Sequence, residues 1–314
     1  MVMADLHEQG FPLAALCHSL GVSRSGYYAW IGGRRSSRAD EDRRLMPQVR
    51  AVFREHKKRY GARRIARELS KHGTSCGTRR VGRLMRDMGL EAIQPKSFRP
   101  RTTESRHRLG YSPNLLSETP EPCGVNRVWV GDITYVPLVK NGFLYLALLM
   151  DLYSRRIVGW EFDANMKEPL VLSALRFAIA GRQPGSGLLH HTDRGGQYAG
   201  NEYRRVLERA RMIQSMSRAD NCYDNAFMES CFGTIKRELE MKRYKSEAIA
   251  RKEIFGYIRY YNTRRLHSSL GYLTPEEFEG IKQAPAAAQG NGPLRRKDSP
   301  SRAYEMENHP EPNE

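Results

Sequence analysis

The sequence predicts an α/β protein in which an all-α, basic region precedes a layered sheet core. Three observations lead there. Residues 123–283 read as three strands joined by short turns and then as alternating helices and strands, the order that builds a sheet covered by helices. Residues 31–109 hold 23 Lys/Arg against 8 Asp/Glu, a net of +15 that supplies nearly all of the chain's +17. Carboxylates end or interrupt apolar, strand-like runs at Asp132 and Asp193, where an unpartnered charge would cost several kcal/mol (about 2–7 even for a neutral polar group).

Taken in order, residues 11–31 read as a helix, a Gly21-Val22-Ser23 turn and a second helix capped by Ser23. That is a helix-turn-helix outline over residues 1–35, with Arg24 and Ser25 at the start of the second helix. Tyr27, Tyr28 and Trp30 equally suit the core of a plain helix pair. A second unit, 36–94, opens with a helix from Asp40 to about Lys57 whose Leu45, Val49, Val52 and Phe53 face inward. Residues 60–69 and 78–88 follow as a helix pair joined by the Gly73–Gly77 loop, with Ile65/Leu69 and Val81/Leu84/Met85/Met88 as their apolar faces. Arg79, Arg80, Arg83 and Arg86 lie on or beside the exposed face of the second helix, suited to a DNA groove. Charge of this density points to a polyanionic partner. Residues 95–122, rich in Pro, Ser, Thr and Arg, read as a linker whose Arg99, Arg101, Arg106 and Arg108 are placed to track a DNA backbone.

The core spans 123–283. Strands are expected at about 127–139, 143–151 and 155–162, with Lys140-Asn141-Gly142 as a hairpin turn. A helix at 167–181, a strand ending at Asp193, a helix near 200–211 and a short strand at 212–216 follow. An amphipathic helix then carries Glu229, with Phe227, Phe232, Ile235 and Leu239 as its apolar positions. Asn225 and Lys236 share the Glu229 face of that helix, four residues before and seven after. Another amphipathic helix covers 246–262, with Ile249, Ile254, Tyr257, Ile258 and Tyr261 as its stripe. Trp160 and Phe177 read as packing residues. Residues 284–314 lack periodicity and read as a disordered tail.

Five cysteines (17, 76, 123, 222 and 231) form no Cys-x-x-Cys pair and no zinc-spaced cluster, and read as free thiols of a reducing compartment. His190 and His191 flank the Asp193 position without a third nitrogen or sulfur ligand nearby, so packing is the favoured role over zinc. No signal peptide and no apolar run of about 18 residues is visible. A soluble, cytoplasmic protein with no membrane partner is the expectation.

Asp132, Asp193 and Glu229 make three acids in one core, with 35 residues between the last two. Magnesium suits such a set: it takes oxygen ligands from one or two carboxylates and keeps positions for water and phosphate. Two such ions, about 4 Å apart, serve an in-line phosphoryl transfer. The words around the acids are Trp129-x-x-Asp132-Ile-Thr-Tyr135, Asp151-Leu-Tyr-Ser-Arg155-Arg-Ile-Val-Gly-Trp160, His191-Thr-Asp193-Arg-Gly-Gly-Gln-Tyr198, Ser215-Met-Ser217, Asp224-Asn-Ala226-x-x-Glu229-Ser and Tyr261-Asn-x-x-Arg265-x-His267-Ser-Ser-Leu-Gly-Tyr272-x-Thr-Pro275. From about Leu16 to Phe278 this order resembles the OrfB transposases of two-frame bacterial insertion sequences, the IS-three family. The acids resemble the Asp-Asp-(35)-Glu triad of transposases and retroviral-type integrases.

The resemblance implies a ribonuclease H-like integrase catalytic core, preceded by the helix-turn-helix-like DNA-binding region, in which Asp132, Asp193 and Glu229 converge. It implies metal-dependent DNA strand cleavage and strand transfer with Mg2+ (Mn2+ as substitute), two ions in number, held by the three acids. The implied partners are DNA, as terminal inverted repeats and target, further copies of the chain assembled on that DNA, and an upstream-frame product or fusion. A route through a circular intermediate is also implied. By the same resemblance Lys236 would contact transposon-end phosphates and Asn225 would line the site, while Arg265 and His267 would bind DNA or brace the catalytic helix. Two features depart from the pattern. No heptad repeat is present, so the chain is expected to be the catalytic half of a fusion. Gly131 stands where a small polar residue such as Thr is expected, at some risk of loosening Asp132. A transposase-derived DNA-binding repressor is the rival from another class, and a ribonuclease H or resolvase-like nuclease the rival among enzymes.

Overall fold

Val128, Val130 and Val136 pack on one side of a strand whose other side carries Trp129 and Ile133. Burial on both faces is what a central strand between two helical layers requires. The computed structural model describes residues 2–32, 37–93, 110–139, 142–218, 226–240 and 243–283. The strand is β1 (Val128–Pro137), followed by β2 (Phe143–Asp151), β3 (Ile157–Asp163), β4 (Leu189–Thr192) and β5 (Ile213–Met216). They form one sheet in the order β3-β2-β1-β4-β5. β1, β2 and β3 are an antiparallel meander, and β4 pairs with both β1 and β5 in parallel.

Helices cover both faces. α7 (Glu168–Arg182), α8 (Gly196–Ala199) and α9 (Asn201–Arg209) bury one core with Trp129, Ala147 and Leu149. α10 (Ala226–Glu238) and α11 (Glu247–Thr263) bury the other with Val128, Val130, Leu146 and Leu148. The layered arrangement and the succession of strands and helices along the chain match the expectation from the alternating pattern. α7 approaches β3 at Gly159, where a Cβ would stand 2.5 Å from the Ala174 carbonyl oxygen and 2.8 Å from the Ala178 Cβ. On the other side, Asn262 of α11 pins the start of β3, accepting from Ile157 N and donating to Ile157 O, both at 2.9 Å.

Ahead of the core lie α1 (Val2–Glu8), α2 (Leu13–Ser19) and α3 (Arg24–Ile31), then α4 (Ser37–Glu55), α5 (Ala62–Lys71) and α6 (Thr78–Asp87). Ser23 caps α3 as its sequence predicts, accepting from Gly26 N at 3.0 Å. Of the aromatic trio only Tyr27 is buried, packed edge-on against His7 of α1, whereas Tyr28 and Trp30 are 61% and 58% exposed. α1 has no counterpart in the sequence reading. α4, α5 and α6 share a core through Val49, Phe53, Ile65, Val81 and Leu84, which also takes in Leu266 from the far end of the chain.

Two expectations are corrected. The second half of the segment read as a linker is docked: Pro113 O accepts from Met216 N at 3.2 Å, and Ser215 Oγ accepts from Leu115 N and Leu116 N. Leu115 and Leu116 fill the edge of the α10 side core, which polar composition concealed. A last helix, α12 (Pro275–Gln283), also went unread, although Thr274 and Glu277 form a reciprocal capping box at its start. Its Glu279 is buried and takes Arg182 and Arg156 at 2.8 and 2.9 Å. Arg99, Arg101, Arg106, Arg108, Lys140, Asn141, Cys222, Asn225 and the 284–314 tail lie outside the described residues.

Gly159→Ala must push α7 from the sheet. It should destabilise the core by about 1–3 kcal/mol, read as a lower urea midpoint with no change in DNA affinity.

Candidate active site

Pairing places the first two acids. Val128, Trp129 and Val130 of β1 stand opposite Leu189, His190 and His191 of β4. Counting two residues further along both parallel strands sets Asp132 opposite Asp193, just past the end of β4. Alternation gives both the side of Val130 and Leu189, the side that α10 covers. Each carboxylate is oriented by backbone: Asp132 Oδ1 accepts from Ile133 N at 2.7 Å and Asp193 Oδ1 from Gly195 N at 3.0 Å. Both are half-buried. Both carboxylates bear on the buried Tyr198 phenol, whose pKa is held well above the ordinary value by burial first, then by the charges of Asp132 and Asp193.

The surroundings are built to keep that pair still. His190 meets the Tyr203 hydroxyl at 2.7 Å and His191 meets Ser215 Oγ at 2.8 Å. These are packing roles for both histidines. Gly131 is explained by the same packing: a Cβ there would be 3.1 Å from His190 Cε1 and 3.4 Å from Thr192 Cγ2. Glycine therefore fits the close ring, and the tight packing answers the expected loosening. Arg194, next to Asp193, donates to Ser217 O at 2.7 Å and lies 4.8 Å over the Tyr111 ring. Neither Arg194 nor Tyr198 was singled out from sequence, although both stand in the Asp193 word.

Glu229 is the third acid and sits differently. It occupies the exposed first turn of α10, whose Met228, Cys231, Phe232 and Ile235 are buried against the sheet. Phe227 is partly exposed and lies under the Arg155 guanidinium at 4.5 Å, rather than in the apolar stripe. Among the described residues no three His, Cys, Asp or Glu side chains are close enough together to hold a metal ion. The β1/β4 register brings Asp132 and Asp193 to one edge of the sheet, and Glu229 lies on the exposed first turn of α10. Lys236, seven residues on and on the Glu229 face, stands 4.4 Å over the Tyr135 ring. Burial lowers its pKa, and the nearby Asp132 charge acts in the opposite direction. Lys236 therefore lies beside Asp132 and Tyr135 of β1.

Four of the predicted DNA contacts are otherwise engaged. Arg265 is buried, with Nη2 2.8 Å from Glu238 Oε1, and His267 is buried beside it, 3.3 Å from Arg265 Nη1. The bracing alternative holds for these two, because burial keeps both from a duplex on the surface. Arg80 Nε and Arg83 Nη2 hold Asp42 of α4 at 2.7 and 2.5 Å, tying α6 to α4. Their hydrogen bonds hold the Asp42 carboxyl below the ordinary value. Arg79 and Arg86 are exposed.

Oxygen donors on neighbouring strands, half-buried and backbone-oriented, fit a hard divalent cation whose remaining positions take water and phosphate. Two carboxylates on an integrase-type sheet, behind a basic helical module, define a metal-dependent polynucleotidyl transferase. Comparison with known proteins agrees. A family model described as "Integrase core domain" matches residues 123–222, another of that description matches 210–275, and one described as "HTH-like domain" matches 40–98. The transposase for insertion sequence element IS904 of Lactococcus lactis subsp. lactis (strain IL1403) is 43% identical over 252 residues, 78% of this chain and 98% of that protein. Transposase InsF for insertion sequence IS3A of Escherichia coli (strain K12) is 38% identical over 282 residues, 88% and 97% of the two chains. A chain of the simian T-cell lymphotropic virus intasome in complex with PP2A regulatory subunit B56 gamma aligns over 75% and 76% at 16% identity and TM-score 0.45, too distant a likeness to carry argument. The chain belongs to the OrfB-type transposases of the IS3 family. It is a transposase, with DNA as its partner. No helix among the described residues is long and apolar enough to cross a membrane.

Acid should loosen this framework. Burial lowers His190 and His267 to about 3 and His56 to about 4, below the ordinary 6.5. Between those values and 6.5 the unfolded chain binds protons that the folded chain refuses, so stability falls as pH drops through that window. The loss is on the order of 1 kcal/mol per histidine per pH unit. Melting temperature should be flat from pH 8 to 7 and fall steadily from pH 6.5 to 4.5.

Proposed function

We infer that Asp132, Asp193 and Glu229 are the catalytic carboxylates of a strand-cleavage and strand-transfer reaction on the ends of an insertion sequence. The register of β1 against β4, which sets Asp132 opposite Asp193, carries this reading. Mg2+, with Mn2+ as substitute and two ions in number, would supply the Lewis acidity that activates an attacking oxygen and stabilises a leaving one. The chain's own residues do the rest. Asp132 and Asp193 present oriented oxygens, and Glu229 completes the set when the first turn of α10 closes on them. Lys236, half-desolvated at that edge, pairs with a phosphate of the bound end. Asn225, four residues before Glu229 in sequence, is proposed to line the site.

Arg79 and Arg86 are the α6 cations proposed to meet DNA phosphates. The terminal inverted repeats and a target duplex are the substrates, and joining two ends calls for two active sites and hence more than one copy on the DNA. An upstream-frame product or fusion is proposed to complete the DNA-reading apparatus.

The test is cleavage and strand transfer on a labelled duplex of the element's terminal repeat with Mg2+ or Mn2+. Asp132→Asn, Asp193→Asn and Glu229→Gln should each abolish products while leaving DNA affinity within about twofold. Products surviving Glu229→Gln would remove Glu229 from the chemistry. Binding without cleavage by the native chain, unrelieved by the upstream-frame product, would favour the repressor reading.

Salt dependence separates the arginines. Arg79→Gln and Arg86→Gln should each flatten the slope of log affinity against log salt by about 0.9. Arg80→Gln and Arg83→Gln should instead lower the melting temperature of the helical module.

A further inference from the structure

The last turn of α10 is gripped by the basic helical module. Arg59, in the turn after α4, donates from Nε to the backbone carbonyl of Glu238 at 3.0 Å. Its guanidinium lies 5.0 and 4.7 Å over the rings of Tyr257 and Tyr260 on α11. Arg64 of α5 reaches the Glu238 carboxylate at 3.6 Å. The same carboxylate takes the Tyr257 hydroxyl at 2.9 Å and Arg265 Nη2 at 2.8 Å, and it is buried. Beside it the His56 ring meets the Tyr260 hydroxyl at 3.0 Å, and the Tyr60 hydroxyl accepts from Leu266 N at 2.9 Å. One carboxylate on the catalytic helix thus collects cations from the module that precedes the core and from the closing loop.

Glu238 lies nine residues after Glu229, half a turn round the helix and about 13 Å along it. The held end and the acid end of α10 are therefore distinct. The acid end is exposed, whereas the far end is buried and ion-paired. A rigid helix tilted by about 10° at its fixed end moves its other end by about 2 Å, so the held end governs where Glu229 is placed.

We propose that Arg59, Arg64 and Glu238 are positioning residues that couple DNA docking on the helical module to the placement of Glu229. This rests on the reading of Glu229 as the third acid. Phosphates drawn to the module move or stiffen it, and the Glu238 grip passes that change to α10. Arg59 and Arg64 act through α10 and touch no substrate. A buried charge cluster is suited to such a role, since removing one partner leaves another uncompensated and the geometry is shared by all.

The test compares the native chain with Arg59→Ala, Arg64→Gln, Arg64→Lys and Glu238→Gln. Arg176→Gln, which removes a surface pair with Glu202, is the control. Amide exchange is followed without metal, with and without the terminal-repeat duplex, alongside affinity and cleavage rate. In the native chain the duplex should slow exchange at the α10 amides by tenfold or more. In Arg59→Ala and Arg64→Gln that slowing should vanish while β1 and β2 stay protected. Duplex affinity should stay within about twofold and cleavage should fall tenfold or more, with Arg64→Lys recovering most of the rate. Glu238→Gln should behave like Arg64→Gln wherever it folds, and the two arginine variants decide the matter if it does not.

Loss of protection in β1 and β2 together with α10 would make the cluster a plain strut and overturn the proposal. So would duplex-induced slowing that persists in both arginine variants. If the native chain shows no cleavage even with the upstream-frame product added, the proposed function fails by itself, and the exchange experiment still decides the coupling.

Discussion

Everything at the site depends on two parallel strands being in one register. Val128 to Val130 against Leu189 to His191 is a short ladder, yet it decides where Asp132 and Asp193 stand. A slip of one residue would send Asp193 to the opposite face of the sheet. The buried side chains oppose such a slip. His190 fits against Gly131 and Tyr203, and His191 against Ser215, so the ladder is locked from both faces. The cost is that burial keeps His190 neutral in the core, and with it a sensitivity to acid.

Charge burial is the second theme. Glu238 with Arg265, and Glu279 with Arg182 and Arg156, are carboxylates taken out of water at chain-distant junctions. Such clusters contribute little net stability, because desolvation offsets much of the attraction. What they do is specify which surfaces meet. Glu279 fastens α12 across the β2–β3 turn and α7, and Glu238 fastens α10 to the helical module. The transposase therefore has its DNA-facing and catalytic parts joined by directional contacts rather than by an apolar seam alone.

The local signals in the sequence were strong where periodicity was unbroken. The five strands, the helices at 168–182 and 247–263 and the basic helix pair emerge from spacing of apolar residues with small errors at the ends. Ser23 was readable as a cap because it is a local interaction. Short or polar segments were not. The strap through Leu115 and Leu116 and the helix after Thr274 depend on what they pack against, and Tyr28 and Trp30 look like core residues in sequence although the fold leaves them exposed.

By itself the sequence determined the class of chemistry, since acids on apolar strands beside a concentrated basic region admit few uses, and it determined the family through words that survive in order. Tertiary structure alone decided which charged residues are available. Arg80, Arg83, Arg265 and Arg79 look alike in a sequence, as cations on or near amphipathic helices. Folding pairs the first two with Asp42, buries the third on Glu238 and leaves the last exposed. The physical reason is that an arginine's role depends on the carboxylate it meets, and those carboxylates lie 38, 41 and 27 residues away along the chain.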